Sequence, residues 1–246
     1  MASRTLSRLG GKLKRLLVRQ TNGQHLELSL REIFVTLGVD LVLDVGANRG
    51  QFGRVLRDRI GYDGEIVSFE PQRGVADELA ERVARDPRWR VLPLGLGDRD
   101  DELTLNISRE SVFSSLLPAT EFGRSRFSRG ITVVDAATVP VRRLDRVLPD
   151  LVRDWSGRTV HLKVDTQGFD LNVIRGAGDL LSRFASVQVE LPIRASYQGA
   201  PTGPELMTEL VERGFDLAGL FPVVRDGLRL VDADAVFVNR EKTSAT

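Results

Sequence analysis

The chain has 246 residues, of which 41% are hydrophobic and 28% charged, with a formal net charge of +1. It has no cysteine, which excludes disulfides, thiolate metal sites and cysteine nucleophiles. The near-neutral charge gives no electrostatic case for a nucleic-acid partner, and no apolar run approaches the ~20 residues that cross a bilayer.

The N-terminal stretch MASRTLSRLGGKLKRLLVRQ is too basic, and too short of a continuous apolar centre, for a signal peptide. Leu6, Leu9, Leu13, Leu16 and Leu17 recur at helical spacing among Arg4, Arg8, Lys12, Arg15 and Arg19. Residues 1–22 therefore read in two ways: a terminal helix packed on its own domain, or a helix lying on an anionic membrane surface. The expected location is the cytoplasm, with the second reading placing the chain at the cytoplasmic face of a membrane. Gly10-Gly11 weakens any long helix. Ser29-Leu30-Arg31-Glu32 has capping-box spacing, so a short helix is expected to end near Gly38.

From there strands and helices alternate. LVLDV (41–45) reads as a strand and 50–59 as a helix; EIVSFE (65–70) is a strand, 74–86 a helix and RVLPLG (90–95) a strand. Residues 102–141 break the rhythm, with strands in ELTLNI and ITVV around a Ser/Arg loop. Alternation resumes with a strand at 160–164, a helix at 168–182, a strand at 186–191 and a helix at 203–213. FDLAGLFPVV and DAVFVN read as a closing antiparallel pair. The pattern predicts an α/β domain over 41–240, a mostly parallel sheet with helices on both faces. Residues 1–40 form a basic extension and 241–246 a tail; the oligomeric state has no signature.

Asp44, Gly46, Ala47, Asn48 and Gly50 fall at the carboxyl end of the first strand, where an open α/β sheet holds its ligand. The pattern is acid-x-Gly-x-Asn-x-Gly. Asn48 and Gln51 replace the second and third glycines of the dinucleotide fingerprint, so a pyrophosphate is poorly served. An acid beside the glycines suits a ligand with an amino group and no phosphates, such as S-adenosylmethionine. Glu70, ending the second strand, can accept both ribose hydroxyls, and Gly97 and Asp98 are expected to line the adenine.

DVGANRG, IVSFEP, VRRLD, HLKVDTQGFD and VQVELP stand in the order and spacing of the FkbM-type methyltransferases, and residues 40–240 resemble that family. The resemblance implies the class I methyltransferase (Rossmann-like) fold, S-adenosylmethionine as cofactor, and O-methylation of a hydroxyl on a sugar, glycolipid, polyketide or other secondary metabolite. It carries over Asp44, Gly46, Asn48, Gly50 and Glu70 as cofactor contacts, and Asp165 and Gly168 as the motif ending the fourth strand. Asp170 is one methylene shorter than the glutamate of many relatives, which puts any role needing the longer reach in question.

Alcohols are poor nucleophiles, so a positioned base is expected near the transferred methyl. Asp165 is the leading candidate for catalysis and cofactor contact; the bland alternative is a cap on the following helix. His161 lies too far below the strand end and reads as a core histidine, and His25 as a surface residue. Lys163 and Glu190, on alternating strands, are expected to pair beneath the site and are further catalytic candidates, as a structural pair or one that also touches substrate or orients Asp165. In the loop 110–130, Ser114 and Ser115 are candidate donors to cofactor or substrate, Phe113 and Phe122 candidate covers, and Arg124, Arg126 and Arg129 candidate anion contacts. Asp170 and Tyr197 are further candidates on the acceptor side. A metal-assisted reading, with Asp165, Asp170 and Glu190 as Mg²⁺ ligands, stays open, although nothing in their spacing demands it. Two other functions stay open: a nicotinamide-dependent oxidoreductase, and a non-catalytic cofactor-binding module at a membrane surface.

Overall fold

The computed structural model describes the backbone of residues 11–243 and the side chains of residues 23–243. The leucines and arginines expected to form a membrane-surface helix over residues 1–22 thus lie outside the described side chains. No helix among the described residues is long and apolar enough to cross a membrane.

The first described element, α1 (Gly11–Leu37), is one continuous helix and not a short one starting at Ser29. Tertiary burial outweighs the local capping signal and the ~1 kcal/mol cost of glycine at Gly23. Leu30, Ile33 and Phe34, at helical spacing, are buried, with Leu26 and Leu37 packed beside them. The expected extension therefore supplies part of the core.

The strands follow as β1 (Leu41–Val45), β2 (Glu65–Phe69), β3 (Trp89–Leu92), β4 (Gly95–Leu96), β5 (Asp101–Ser108), β6 (Val133–Arg142), β7 (Val160–Val164), β8 (Ser186–Pro192), β9 (Phe215–Asp226) and β10 (Arg229–Asn239). β3 stops short of the expected residue 95, because Pro93 has no N–H for the ladder. Seven strands form the main sheet in the order β3-β2-β1-β7-β8-β10-β9. All pairs are parallel up to β8, and β10 enters antiparallel between β8 and β9. Successive strands run outward in opposite directions from β1 and β7, so the switch point of the fold lies between those two. A second sheet, in the order β4-β6-β5, accounts for the broken rhythm over 102–141.

The helices are α2 (Gln51–Val55), which continues as a π-helical turn (Leu56–Ile60), α3 (Arg73–Val83), α4 (Glu121–Phe127), α5 (Leu144–Leu151), α6 (Asp170–Gly176), α7 (Gly203–Glu212) and α8 (Arg240–Thr243). The helix expected over 168–182 is split into α6 and a separate 3₁₀ turn (Gly178–Arg183). One face of the sheet buries Leu41, Leu43, Leu162 and Val187 under α5, α6 and α7. The other buries Val42, Ile66 and Val236 under α1 and the α2 region.

Parallel register sets the polar face of β7. Lys163 stands opposite Asp44 on one side and Gln188 on the other, and His161 opposite Val42 and Ser186. His161 is a core residue: its Nδ1 lies 2.8 Å from the Ser186 hydroxyl, and Phe34 packs on its ring at 4.8 Å. Burial pushes its pKa down to about 3, so the ring is neutral at physiological pH.

Candidate active site

The β1 turn is built on backbone. Gly46 N and Ala47 N both donate to the Phe69 carbonyl, at 3.0 and 3.1 Å, which ties the turn to the end of β2. Gly46 sits at φ +76, and a Cβ there would overlap the Asp165 carbonyl oxygen. Glycine is therefore required at the switch point on two separate grounds. Glu70 completes the turn: Oε2 accepts from Asn48 N at 2.8 Å and Oε1 from Gln72 N at 2.9 Å. Burial raises its pKa, while those two amides oppose the rise.

Two cavities meet at the carboxyl ends of β1, β7 and β8. The first, about 560 Å³, is lined by Gly46, Ala47, Asn48, Glu70, Leu94, Leu96, Lys163 and Phe169, among others. The second, about 1030 Å³, is lined by Phe113, Arg126, Phe127, Asp170, Glu190, Tyr197 and Asp232, among others. Val112, Asp165 and Gln167 line both, so a group in either space reaches the same carboxylate.

Asp165 is held from two sides. Its Oδ1 accepts from Gln167 Nε2 at 2.8 Å, and Lys163 Nζ lies 3.6 Å from Oδ2. Its side chain keeps 40% exposure, all the rest of this polar row being more enclosed. Gln167 has a backbone φ of +55 and is fixed at three points: Nε2 on Asp165, Oε1 accepting from the Tyr197 hydroxyl at 3.0 Å, and its carbonyl accepting from Ser115 Oγ at 2.7 Å. A side chain held in left-handed backbone at a cavity junction is the kind of cost that persists where geometry is over-determined.

The expected Lys163–Glu190 pair does not form. Lys163 Nζ lies 3.4 Å from Asp44 Oδ1, and Asp44 is fully buried with a further bond from Ser68 Oγ at 3.3 Å. Burial alone would push the Lys163 pKa down; the Asp165 and Asp44 charges outweigh it and hold the ammonium charged. The register explains the difference, because Lys163 meets Gln188, two residues before Glu190. Glu190 instead faces the larger cavity.

Other expected positions fall into two groups. Ser115 lines the smaller cavity, with its hydroxyl committed to Gln167; Asp170 and Tyr197 line the larger. Asp170 is buried, accepts from Thr166 N and Gly168 N at 3.1 Å each, and is pushed up to about 6 by burial and then by Asp165. It clamps the turn after β7. Four expected sets of positions lie apart from the two cavity linings. Gly97 and Asp98 line neither cavity: Gly97 packs against Val141, Phe169 and the backbone of Gly176, and the Asp98 carbonyl accepts from Arg143. Leu94, Gly95 and Leu96 take their place. Gly50 underlies the turn against Leu79 and Trp89, outside both linings. Asp44 lies beneath the turn as the Lys163 partner. Arg124 donates to the Ala119 carbonyl away from the cavities, and Arg126 points into the larger one in its stead. The residues missed from the sequence are Gln167, Asp232 and Asp234. Among the described residues, no three histidine or carboxylate side chains are grouped to hold a metal ion.

A family model for the methyltransferase FkbM domain matches residues 44–217. No curated protein matches the chain. Among solved structures, a methyltransferase FkbM from Methylobacillus flagellatus KT is 16% identical with a TM-score of 0.51; the alignment covers 81% of this chain and 43% of that one. The chain thus spans less than half the length of that protein. Aeropyrum pernix fibrillarin, solved with natively bound S-adenosyl-L-methionine, is 14% identical with a TM-score of 0.46, covering 81% of this chain and 66% of that one.

Proposed function

Because the chain belongs to the FkbM methyltransferase family, whose cofactor is S-adenosylmethionine, we propose that it methylates a hydroxyl of a sugar-like or glycolipid acceptor seated in the larger cavity. Family membership displaces the nicotinamide oxidoreductase reading. The observation that carries the proposal is the sharing of Asp165 and Gln167 between the two cavities.

The residues present fit the cofactor. Glu70 opens on the smaller cavity with lone pairs left for ribose hydroxyls, beside an apolar slot of Leu94, Leu96 and Phe169 suited to a flat base. Gly46 and Ala47 let a ligand approach the turn backbone closely. When bound, the cofactor supplies a methyl carbon already activated by a sulfonium leaving group.

The chain's own residues then have two tasks. Val112 at the junction, with Phe113 and Tyr197 in the larger cavity, limits water around the acceptor. Asp165 would accept the proton of the acceptor hydroxyl as that oxygen takes up the methyl group. Gln167 and Lys163 fix its orientation toward the junction.

Radiolabelled methyl transfer into fractionated lysate and into purified sugars tests this. Asp165→Asn is expected to lower the rate by about 10²–10⁴-fold while S-adenosylhomocysteine still binds by calorimetry. An unchanged rate removes Asp165 as the base. A thermal shift with NAD but none with S-adenosylhomocysteine removes methyl transfer altogether.

A further inference from the structure

We propose that Asp232 and Glu190 form a subsite for an ammonium group, so that the acceptor is an amino sugar or a comparable amino alcohol. This rests on the larger cavity being the acceptor site, as above.

Asp232 is 7% exposed and lines that cavity, yet its carboxyl has no hydrogen bond or ion pair among the described residues. Glu190, on the neighbouring strand and the same sheet face, lines it too and is equally without a partner. The neighbouring acids and Lys163 are already engaged. Asp165 is bound by Gln167 and Lys163, Asp170 by two backbone amides, and Asp234 by Gln188. Lys163 is committed to Asp44 and Asp165. Arg126 donates through Nη2 to the Arg225 carbonyl and makes no ion pair with Asp232, although its Nε is buried without a partner and its charge offsets part of the rise at Asp232. The buried Asp232 carboxyl, left without a donor, is an exception to the rule that buried polar groups are paired, and the half-buried Glu190 stands beside it. Burial and then the Asp165 charge push Asp232 up to about 7 against the Arg126 charge, and burial with the Asp165 and Asp232 charges pushes Glu190 well above its usual range, as expected of acids with too little counter-charge.

The ligand chemistry follows from the lining. An ammonium brings three donors and no acceptor, which matches two acceptor groups and relieves their repulsion. A neutral hydroxyl brings one donor and leaves the charges opposed, and an anion is repelled. Phe113, Phe127, Tyr197, Pro222 and Val224 supply apolar surface in the same cavity for a carbon skeleton, with Asp165 at its inner end for the hydroxyl to be methylated.

Calorimetric titration of the full chain with glucosamine, glucose and N-acetylglucosamine, with and without saturating S-adenosylhomocysteine, tests the subsite. Glucosamine is expected to bind at least about tenfold more tightly than either neutral sugar. Asp232→Asn and Glu190→Gln should each abolish that preference without changing S-adenosylhomocysteine affinity. Both remove an unpaired acid, so neither variant should melt below the wild type at neutral pH or above. Equal binding of the three sugars, no glucosamine binding, or a preference that survives both substitutions overturns the proposal. Failure of S-adenosylhomocysteine to bind overturns the methyl-transfer reading instead, since the glucosamine preference is also read in its absence.

Discussion

Lys163 lies between two carboxylates of different standing. Asp44, at 0% exposure, depends on it for charge balance, whereas Asp165 keeps contact with the cavity. Replacing Lys163 with Met leaves Asp44 as an unpaired buried charge, and the expected loss in urea unfolding is about 3–5 kcal/mol. Adding Asp44→Asn should recover about 1–3 kcal/mol of that as coupling, while adding Glu190→Gln should be additive within about 0.5 kcal/mol. Coupling to Glu190 and none to Asp44 would reverse the pairing assigned above. Alternation in HLKVD tells which side chains of β7 share a face, and that much was readable from the sequence. The neighbour across the sheet depends on register, which a parallel crossover connection leaves open to the strand's own sequence. Gln167 escaped notice for a related reason: nothing in an isolated Gln-Gly pair announces a side chain bound on both sides.

At the scale of elements, the turn after β1 is the tightest constraint. Gly46→Ala combines left-handed backbone with overlap against the Asp165 carbonyl. It is expected to cost about 3 kcal/mol or more and to weaken S-adenosylhomocysteine binding, since the turn and the end of β7 must part. Wild-type affinity in a stably folded Gly46→Ala protein would show that the two backbones do not need their close approach. β1 was legible because a buried parallel strand is a short continuous apolar run, and LVLDV is one with its acid at the ligand end. α1 was not, since its length is set by Leu30, Ile33 and Phe34 finding the sheet, which no local capping signal encodes. Asp232 was missed because the strand signal in VDADAVFVN is strongest after it, while β10 begins at Arg229.

For the whole molecule, the buried acids set the pH response. Asp170 and Asp234 are raised to about 6, Asp232 to about 7 and Glu190 well above its usual range. Between the unfolded carboxylate range near pH 4 and those values, the native state binds more protons than the unfolded chain, so stability falls as pH rises. His161, lowered to about 3, works the other way up to the ordinary histidine range, but it is one group against four. Melting temperature is therefore expected to be higher near pH 5 than near pH 8, with a shallower slope in Asp232→Asn. A melting temperature that rises over that interval would mean these acids are ionised in the native state at low cost. The sheet order has a different consequence, which concerns synthesis. β10 is the last described strand to leave the ribosome, yet it sits inside the sheet between β8 and β9. Until residue 239 emerges, β8 presents an open edge bearing Val187, Val189 and Leu191, and β9 has no neighbour to join. Translation thus carries this chain through an interval in which most of its core is made and its sheet cannot close, a stage that favours chaperone contact and nascent-chain aggregation.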